Sequence, residues 1–266
     1  MINHFKYHKI PFSRVASFDV YSVSRLKNHV SALLEFDVTD SRIKLKAMKS
    51  QGHHVSFNAW LIKVISKALE KHPEAAGYVC SRKKLVTFQD TNISFLIEKK
   101  IHDKKVPIPL LLKKTNEKSA LDITREINHA KTQVLNDKDF VLGERLKVHE
   151  RIYYHLPGIA RRGIWRYMIN HPKTAYRKMG NVAITSLGMM GRINGWFIHR
   201  SIHPISFGIG AIIEKPVVKK HEVTIREILN MTILLDHDAL DGAPMVRFVN
   251  DLTECIENGH EIQKEE

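Results

Sequence analysis

The stretch that most constrains this chain is the mainly apolar run Met231 to Leu235, followed by Asp236, His237 and then Asp241-Gly242. So short an apolar run, followed closely by an Asp-Gly pair that turns the chain, reads as a strand buried in a sheet. Any fold for this chain must cover that strand and then set a histidine at its end. An imidazole titrates near neutrality, so one held by its backbone can accept a proton from a thiol or hydroxyl. The same letters are satisfied by a plain turn with an ordinary polar residue at the strand end. The motif alone leaves both readings open.

Other elements declare themselves locally. Ser56-Phe57-Asn58 opens a helix whose Trp60, Leu61, Val64, Ile65, Ala68 and Leu69 share one face, and Pro73 marks its end. Between Leu85 and Glu98 the pattern alternates, with Ile93, Phe95 and Ile97 on one side, as in a strand covered on at least one face. Val106 to Leu112 is apolar but carries Pro107 and Pro109, which cannot donate ladder hydrogen bonds, so it is expected at a sheet edge or strand terminus. Ser119-Ala120-Leu121-Asp122 resembles a capping box with Asp in place of Glu or Gln, opening a helix through Ile123, Ile127, Ala130 and Val134. A weaker pattern predicts a helix over 22–34. Strands are expected over 181–187, 205–213 and 231–235, and a last helix over 243–257 with Met245, Val249, Leu252 and Ile256 inward. Strands and helices intermix without internal repeat, low-complexity linker or domain boundary, which is an α/β pattern.

At 266 residues, 43% of them apolar, the chain suffices for one large domain or two small ones. No window approaches a membrane span, and the N-terminus lacks the apolar run of a secretory signal, so the expected compartment is the cytoplasm. Cys80 and Cys255 make no disulfide framework, and there is no Cys-x-x-Cys pair. His53-His54 and the pair His199, His203 lack an accompanying cysteine or carboxylate cluster, so no metal is expected. The net charge of +14 favours anionic partners: nucleic acid, a membrane surface or a phosphate-bearing cofactor.

Much of that charge gathers between Arg145 and Lys178, where Tyr153, Tyr154, Trp165, Tyr167 and Tyr176 lie among Arg161, Arg162, Arg166 and other cations. Pro157-Gly158 and His171-Pro172 break the stretch into two or three short amphipathic helices. A solvated face with snorkelling cations accounts for such a pattern. So do a lid that grips phosphates, a membrane-facing patch or a nucleic-acid surface.

Three ordered stretches resemble the catalytic domain of the 2-oxo acid dehydrogenase acyltransferases, the dihydrolipoamide acyltransferase family, whose fold is chloramphenicol acetyltransferase-like. His237-Asp238-Ala239-Leu240-Asp241-Gly242 matches the family's His-x-x-x-Asp-Gly signature. Val182 to Gly191 is similar to its Phe-Thr-Ile-Ser-Asn-Leu-Gly stretch and is followed by Phe207-Gly208-Ile209-Gly210. Phe36-Asp37-Val38-Thr39, the helix from Ser56, and Val106-Pro107-Ile108 leading to Ser119 resemble the family's N-terminal elements.

The resemblance implies a two-layer α/β sandwich, a mixed β-sheet with helices on one face, assembled into trimers or assemblies of trimers with active sites between subunits. It implies a coenzyme A-dependent acyltransferase acting on a lipoamide-like thiol or another small nucleophile. His237 is then the general base, Asp241 organises the site, and Thr185 from a neighbouring subunit, with Ser186 beside it, meets the oxyanion. Gly242, Arg161, Arg162 and Arg166 are the expected substrate contacts, the arginines meeting the phosphates of coenzyme A. Nothing within the chain resembles a lipoyl or subunit-binding domain. The expectation is one stand-alone catalytic domain over 1–266, with a basic aromatic helical insertion at about 140–179 and any lipoyl group supplied in trans. The family's arginine partner for the motif aspartate is replaced by Ala16, leaving Arg14 or Arg25 as substitutes. A non-catalytic trimeric scaffold and a basic-surface binding protein are the alternatives. The stretch lacks a recognisable nucleic-acid module, which disfavours nucleic acid, while contact with a membrane surface stays open.

Overall fold

In a computed structural model of the chain, residues 5–8, 10, 14–81, 83–101, 104–133, 153, 155–186, 191 and 193–262 are described. The apolar run singled out above lies in β8 (Glu222–Asp236), and its residues 231–235 are at most 2% exposed. Both its edges are paired inside a six-stranded sheet of order β1-β8-β7-β6-β4-β5. Those strands are β1 (His29–Asp37), β4 (Ile93–Ile101), β5 (Lys104–Leu112), β6 (Val182–Ser186) and β7 (Ile205–Lys219). β1, β8 and β7 run antiparallel in succession, as do β4 and β5, while β6 is parallel to both β7 and β4. The proline-bearing β5 occupies an edge, where a missing N–H leaves no central ladder bond unmade. A two-stranded pair, β2 (Tyr78–Ser81) and β3 (Lys84–Val86), stands apart.

Residues paired across strands share a face, so the register defines two surfaces. Ile184, Phe207 and Ile233 form one row of the first face and meet α3 (Phe57–Lys71), α4 (Ala120–Thr132) and α7 (Gly242–Glu257) in the main core. Ser56 caps α3 by accepting from Ala59 N, and Ser119 caps α4 by accepting from Asp122 N. Inward residues of α7 are Met245, Phe248, Leu252 and Ile256, with Val249 partly covered. The second face carries Ser31, Leu234 and Ser206 in one row and Leu33, Thr232, Gly208 and Thr185 in the next. Segment 193–203 crosses it: a Cβ on Gly208 would lie 2.9 Å from His199 Nδ1, and Trp196 Nε1 donates to Leu34 O.

Two expectations change. The helix predicted over 22–34 is instead the end of α1 (Arg14–Ser24) followed by β1, because residues 29–37 pair along their whole length with β8. β7 and β8 are each fifteen residues long, running beyond the neighbouring strands as an exposed ribbon, with Val218, Val223 and Ile225 open to solvent, closed at Lys220 and His221, both at positive φ. The basic stretch supplies α5 (Gly158–Asn170) and α6 (Pro172–Met179), broken at His171-Pro172 as its prolines dictate. Tyr154 and the expected helix position Val134 lie outside the described residues, as do 134–152. α2 (Thr39–Ser50) completes the helices used below. Among the described residues no helix is long and apolar enough to cross a membrane.

Candidate active site

β8 does not turn at Asp241-Gly242; it turns immediately, over residues 237–239. The Asp236 carbonyl accepts from Ala239 N and Leu240 N, and its Oδ1 accepts from Asp238 N at 3.3 Å. His237 N donates to Asn28 O at 2.9 Å, and Asn28 Nδ2 reaches both carboxylate oxygens of Asp238. Lys27 Nζ donates to Asp236 Oδ2 at 2.7 Å, with the two side chains only 7% and 1% exposed. The backbone of His237 is thus fixed from both sides while its side chain is exposed. Lys27 and Asn28 carried no sequence signal, since they stand more than two hundred residues from the turn they hold.

Asp241 is the N-cap residue of α7 in extended conformation, makes no side-chain capping bond and is exposed. Among the described residues it has no ion pair, and neither Arg14 nor Arg25 takes the place of the missing partner. Arg14 lies over the Phe18 ring at 5.6 Å. Gly242 opens α7 with nothing within 4 Å of the place a Cβ would take, so it leaves room in front of the helix N-terminus.

Thr185 is not brought to His237 within one chain. It shares a row with Gly208 and Thr232, and His237 lies five residues further along β8. At about 3.4 Å per residue and about 4.8 Å per strand, the two side chains are separated by roughly 20 Å. Thr185 belongs to the second face, whereas Ser186, one residue on, alternates to the first; both are half-buried.

The three arginines of α5 divide. Arg161 is committed: its Nε donates to Asp19 Oδ2 at 2.6 Å and its Nη1 to Leu156 O at 2.7 Å. Tyr153 Oη donates to the same Asp19 oxygen and accepts from Trp165 Nε1. Burial is the largest influence on the Tyr153 hydroxyl and helps push it up to about 12. This network straps α5 to α1 and pairs Arg161, one of the expected phosphate contacts, with Asp19. Arg162 and Arg166 are exposed and have no ion pair among the described residues.

Three other histidines, His29, His199 and His203, are hydrogen-bonded inside the fold. His29 Nε2 donates to His203 O, and His203 Nε2 donates to Met179 O. Burial pushes His29 below its ordinary range and pushes His199 and His203 down to about 4. Among the described residues no group of three or more His, Cys, Asp or Glu side chains is arranged to hold a metal ion.

Residues 12–139 and 172–263 match the family described as 2-oxoacid dehydrogenases acyltransferase (catalytic domain), which leaves 140–171 unmatched. The dihydrolipoyllysine-residue acetyltransferase component of the pyruvate dehydrogenase complex of Staphylococcus epidermidis is 25% identical over 243 residues, covering 86% of this chain and 46% of that protein. The chain thus spans about half the length of the curated relatives it matches. Its fold is similar to that of a probable dihydrolipoamide acetyltransferase from Listeria monocytogenes 4b F2365, with TM-score 0.70 and 21% identity over 99% of this chain and 98% of that one. It is equally similar, with TM-score 0.70, 17% identity and 97% and 95% of the chains covered, to the Azotobacter vinelandii dihydrolipoamide acetyltransferase, a crystal structure concerned with the role of a serine, a histidine and an asparagine in its catalytic mechanism.

Proposed function

Because the chain belongs to the 2-oxoacid dehydrogenase acyltransferase family, we propose that it transfers an acyl group between coenzyme A and a small nucleophile, a lipoyl-type thiol presented in trans being the first to test. The observation that carries this reading is His237, fixed through its own backbone and exposed at a strand end. The spacing of its companions supports it. In the Azotobacter protein the serine stands 52 positions before the histidine and the asparagine four after it. Here Thr185 stands 52 positions before His237, and Asp241 four after it.

The chemistry follows from the thioester. His237 takes the proton of the acceptor thiol, the thiolate attacks the acyl carbonyl, and a tetrahedral oxyanion forms. Collapse breaks the bond to the coenzyme A sulfur, which leaves with the proton His237 holds. The oxyanion needs a donor; Thr185 lies roughly 20 Å away in the same chain by the strand geometry, so the donor is Thr185 of a second copy. The working unit is therefore a symmetric homo-oligomer, a trimer in this proposal. Asp241 and Gly242 shape the approach at the α7 N-terminus, and Ser186 stands beside the donor. Coenzyme A supplies the activated thioester as substrate. The exposed Arg162 and Arg166 of the 140–179 insertion meet its phosphates, while Arg161 serves by anchoring α5.

A positioned base contributes roughly 10²- to 10⁴-fold, and an oxyanion donor about 10²- to 10³-fold. His237→Ala is therefore expected to lower acyl-CoA turnover by about 10³-fold with the oligomeric state unchanged by light scattering. Wild-type turnover in this variant would overturn the reading.

A further inference from the structure

On the second face of the sheet a cavity of about 330 Å³ opens between the end of α1, the start of β1 and segment 198–201. Its lining contains no carboxylate. Arg25, Lys27 and Arg200 contribute cations, and Ser24, Ser31 and Ser201 contribute hydroxyls. Lys27 is occupied by Asp236, but Arg25 and Arg200 are exposed and form no ion pair among the described residues. Two guanidinium groups without an ion pair, bordering one cavity whose lining also includes Ile198 and Leu234, favour an anion, because each presents several donors in a planar fork suited to carboxylate or phosphate. His199, which also lines the cavity, keeps a buried Nδ1 with no hydrogen bond of good geometry.

The cavity and the His237 turn share a wall. Lys27 and His29 line the cavity; Lys27 also grips Asp236, and Asn28 between them holds His237 N. The residues that line the cavity, Lys27 and His29, thus flank the one that holds the backbone of the proposed base. We propose that this cavity binds the anionic end of the acyl acceptor, so that the preferred acceptor is a small thiol bearing a carboxylate or a phosphate. This rests on the acyl-transfer reading above. The reaction balances as before: the acceptor sulfur bonds to the acyl carbon, coenzyme A leaves, and the acceptor's proton passes through His237 to the departing sulfur.

Two matched pairs of thiols test it with acetyl-CoA as donor: dihydrolipoamide against dihydrolipoate, and pantetheine against 4′-phosphopantetheine. Each pair differs by one anionic group, so the pair with the greater discrimination tells whether carboxylate or phosphate is the recognised chemistry. A charged hydrogen-bond partner is expected to raise kcat/KM roughly tenfold or more for the anionic member. In the Arg25→Gln/Arg200→Gln double variant that ratio falls towards one. Equal kcat/KM within both pairs, or a preference that survives the double substitution, overturns the proposal. Calorimetric binding of dihydrolipoate to His237→Ala separates this inference from the one it rests on. Arginine-dependent binding there, with no turnover of any thiol by the wild type, would leave an anion site and remove the acyl transfer. Normal turnover by the wild type with no such binding would do the reverse.

Discussion

The two faces of the sheet are held by different physics. On the first, Ile184, Phe207 and Ile233 are fully buried under α3, α4 and α7, and Trp60 of α3 is sealed among them. That contact is apolar and non-directional. On the second face the neighbouring positions are Ser206, Gly208, Thr232 and Asn230, closed over by segment 193–203 through hydrogen bonds. Buried polar atoms there, Asn230 Oδ1 and Thr232 Oγ1, have no hydrogen-bond partner among the described residues. One face is a finished core. The other combines the Thr185 row, the cationic cavity and the support of the His237 turn, and keeps polar atoms unpaired where the first face has none among the described residues.

The sharpest way to separate the faces is to damage each in its own currency. Trp60→Ala removes a fully buried indole and the bond its Nε1 donates to His260 O. A loss of about 4–5 kcal/mol is expected by urea unfolding, and a loss below about 1 kcal/mol would show that the first face repacks freely. On the second face, Lys27→Met leaves Asp236 buried and without its cation. About 3 kcal/mol should be lost, and Asp236→Asn added to the same chain should recover part of it, because the uncompensated charge and not the missing contact is the larger cost. An unchanged urea midpoint in Lys27→Met would mean that the pair does not hold the turn.

The same contrast sets what could be read from the sequence. The first face is written in local periodicity, so α3, α4, β4 and α7 are legible from apolar spacing, and their caps from Ser56 and Ser119. The edge position of β5 is legible from Pro107 and Pro109. β1 differs from the helix its sequence suggests because its identity comes from pairing with β8, some two hundred residues away, and its outward residues do not alternate cleanly. The outer halves of β7 and β8 carry no such signal, because a solvated ribbon needs no covered apolar face. At the site, His237, Asp241 and Thr185 are visible as a motif, but Lys27 and Asn28 are not, since their role exists only through tertiary contact. Nothing in sequence distinguishes Arg161 from Arg162; Asp19 does, from the facing helix.

Acid should expose the second face before the first. His199 and His203 are neutral in the folded protein, their imidazoles pushed down to about 4 mainly by burial, and His29 is lowered for the same first reason. Unfolded, each titrates near 6.5. Between those values the unfolded chain binds more protons, so stability is complete above about pH 6.5 and falls as pH drops towards about 4, by a few kcal/mol. Asp37 acts in a lower window. Burial alone would raise it, but hydrogen bonds from Thr39 and Arg226 outweigh burial and hold it below the usual carboxylate range, so its contribution is lost only under more acidic conditions. Urea unfolding from pH 7 to pH 4 should therefore show a slope of more than one proton, and His203→Gln should reduce it. Trp196, hydrogen-bonded across the second face, should change its fluorescence in this range while Trp60 stays buried; single-tryptophan variants separate the two. A slope that His203→Gln leaves intact would place the titrating groups elsewhere and remove acid sensitivity from the list of differences between the faces.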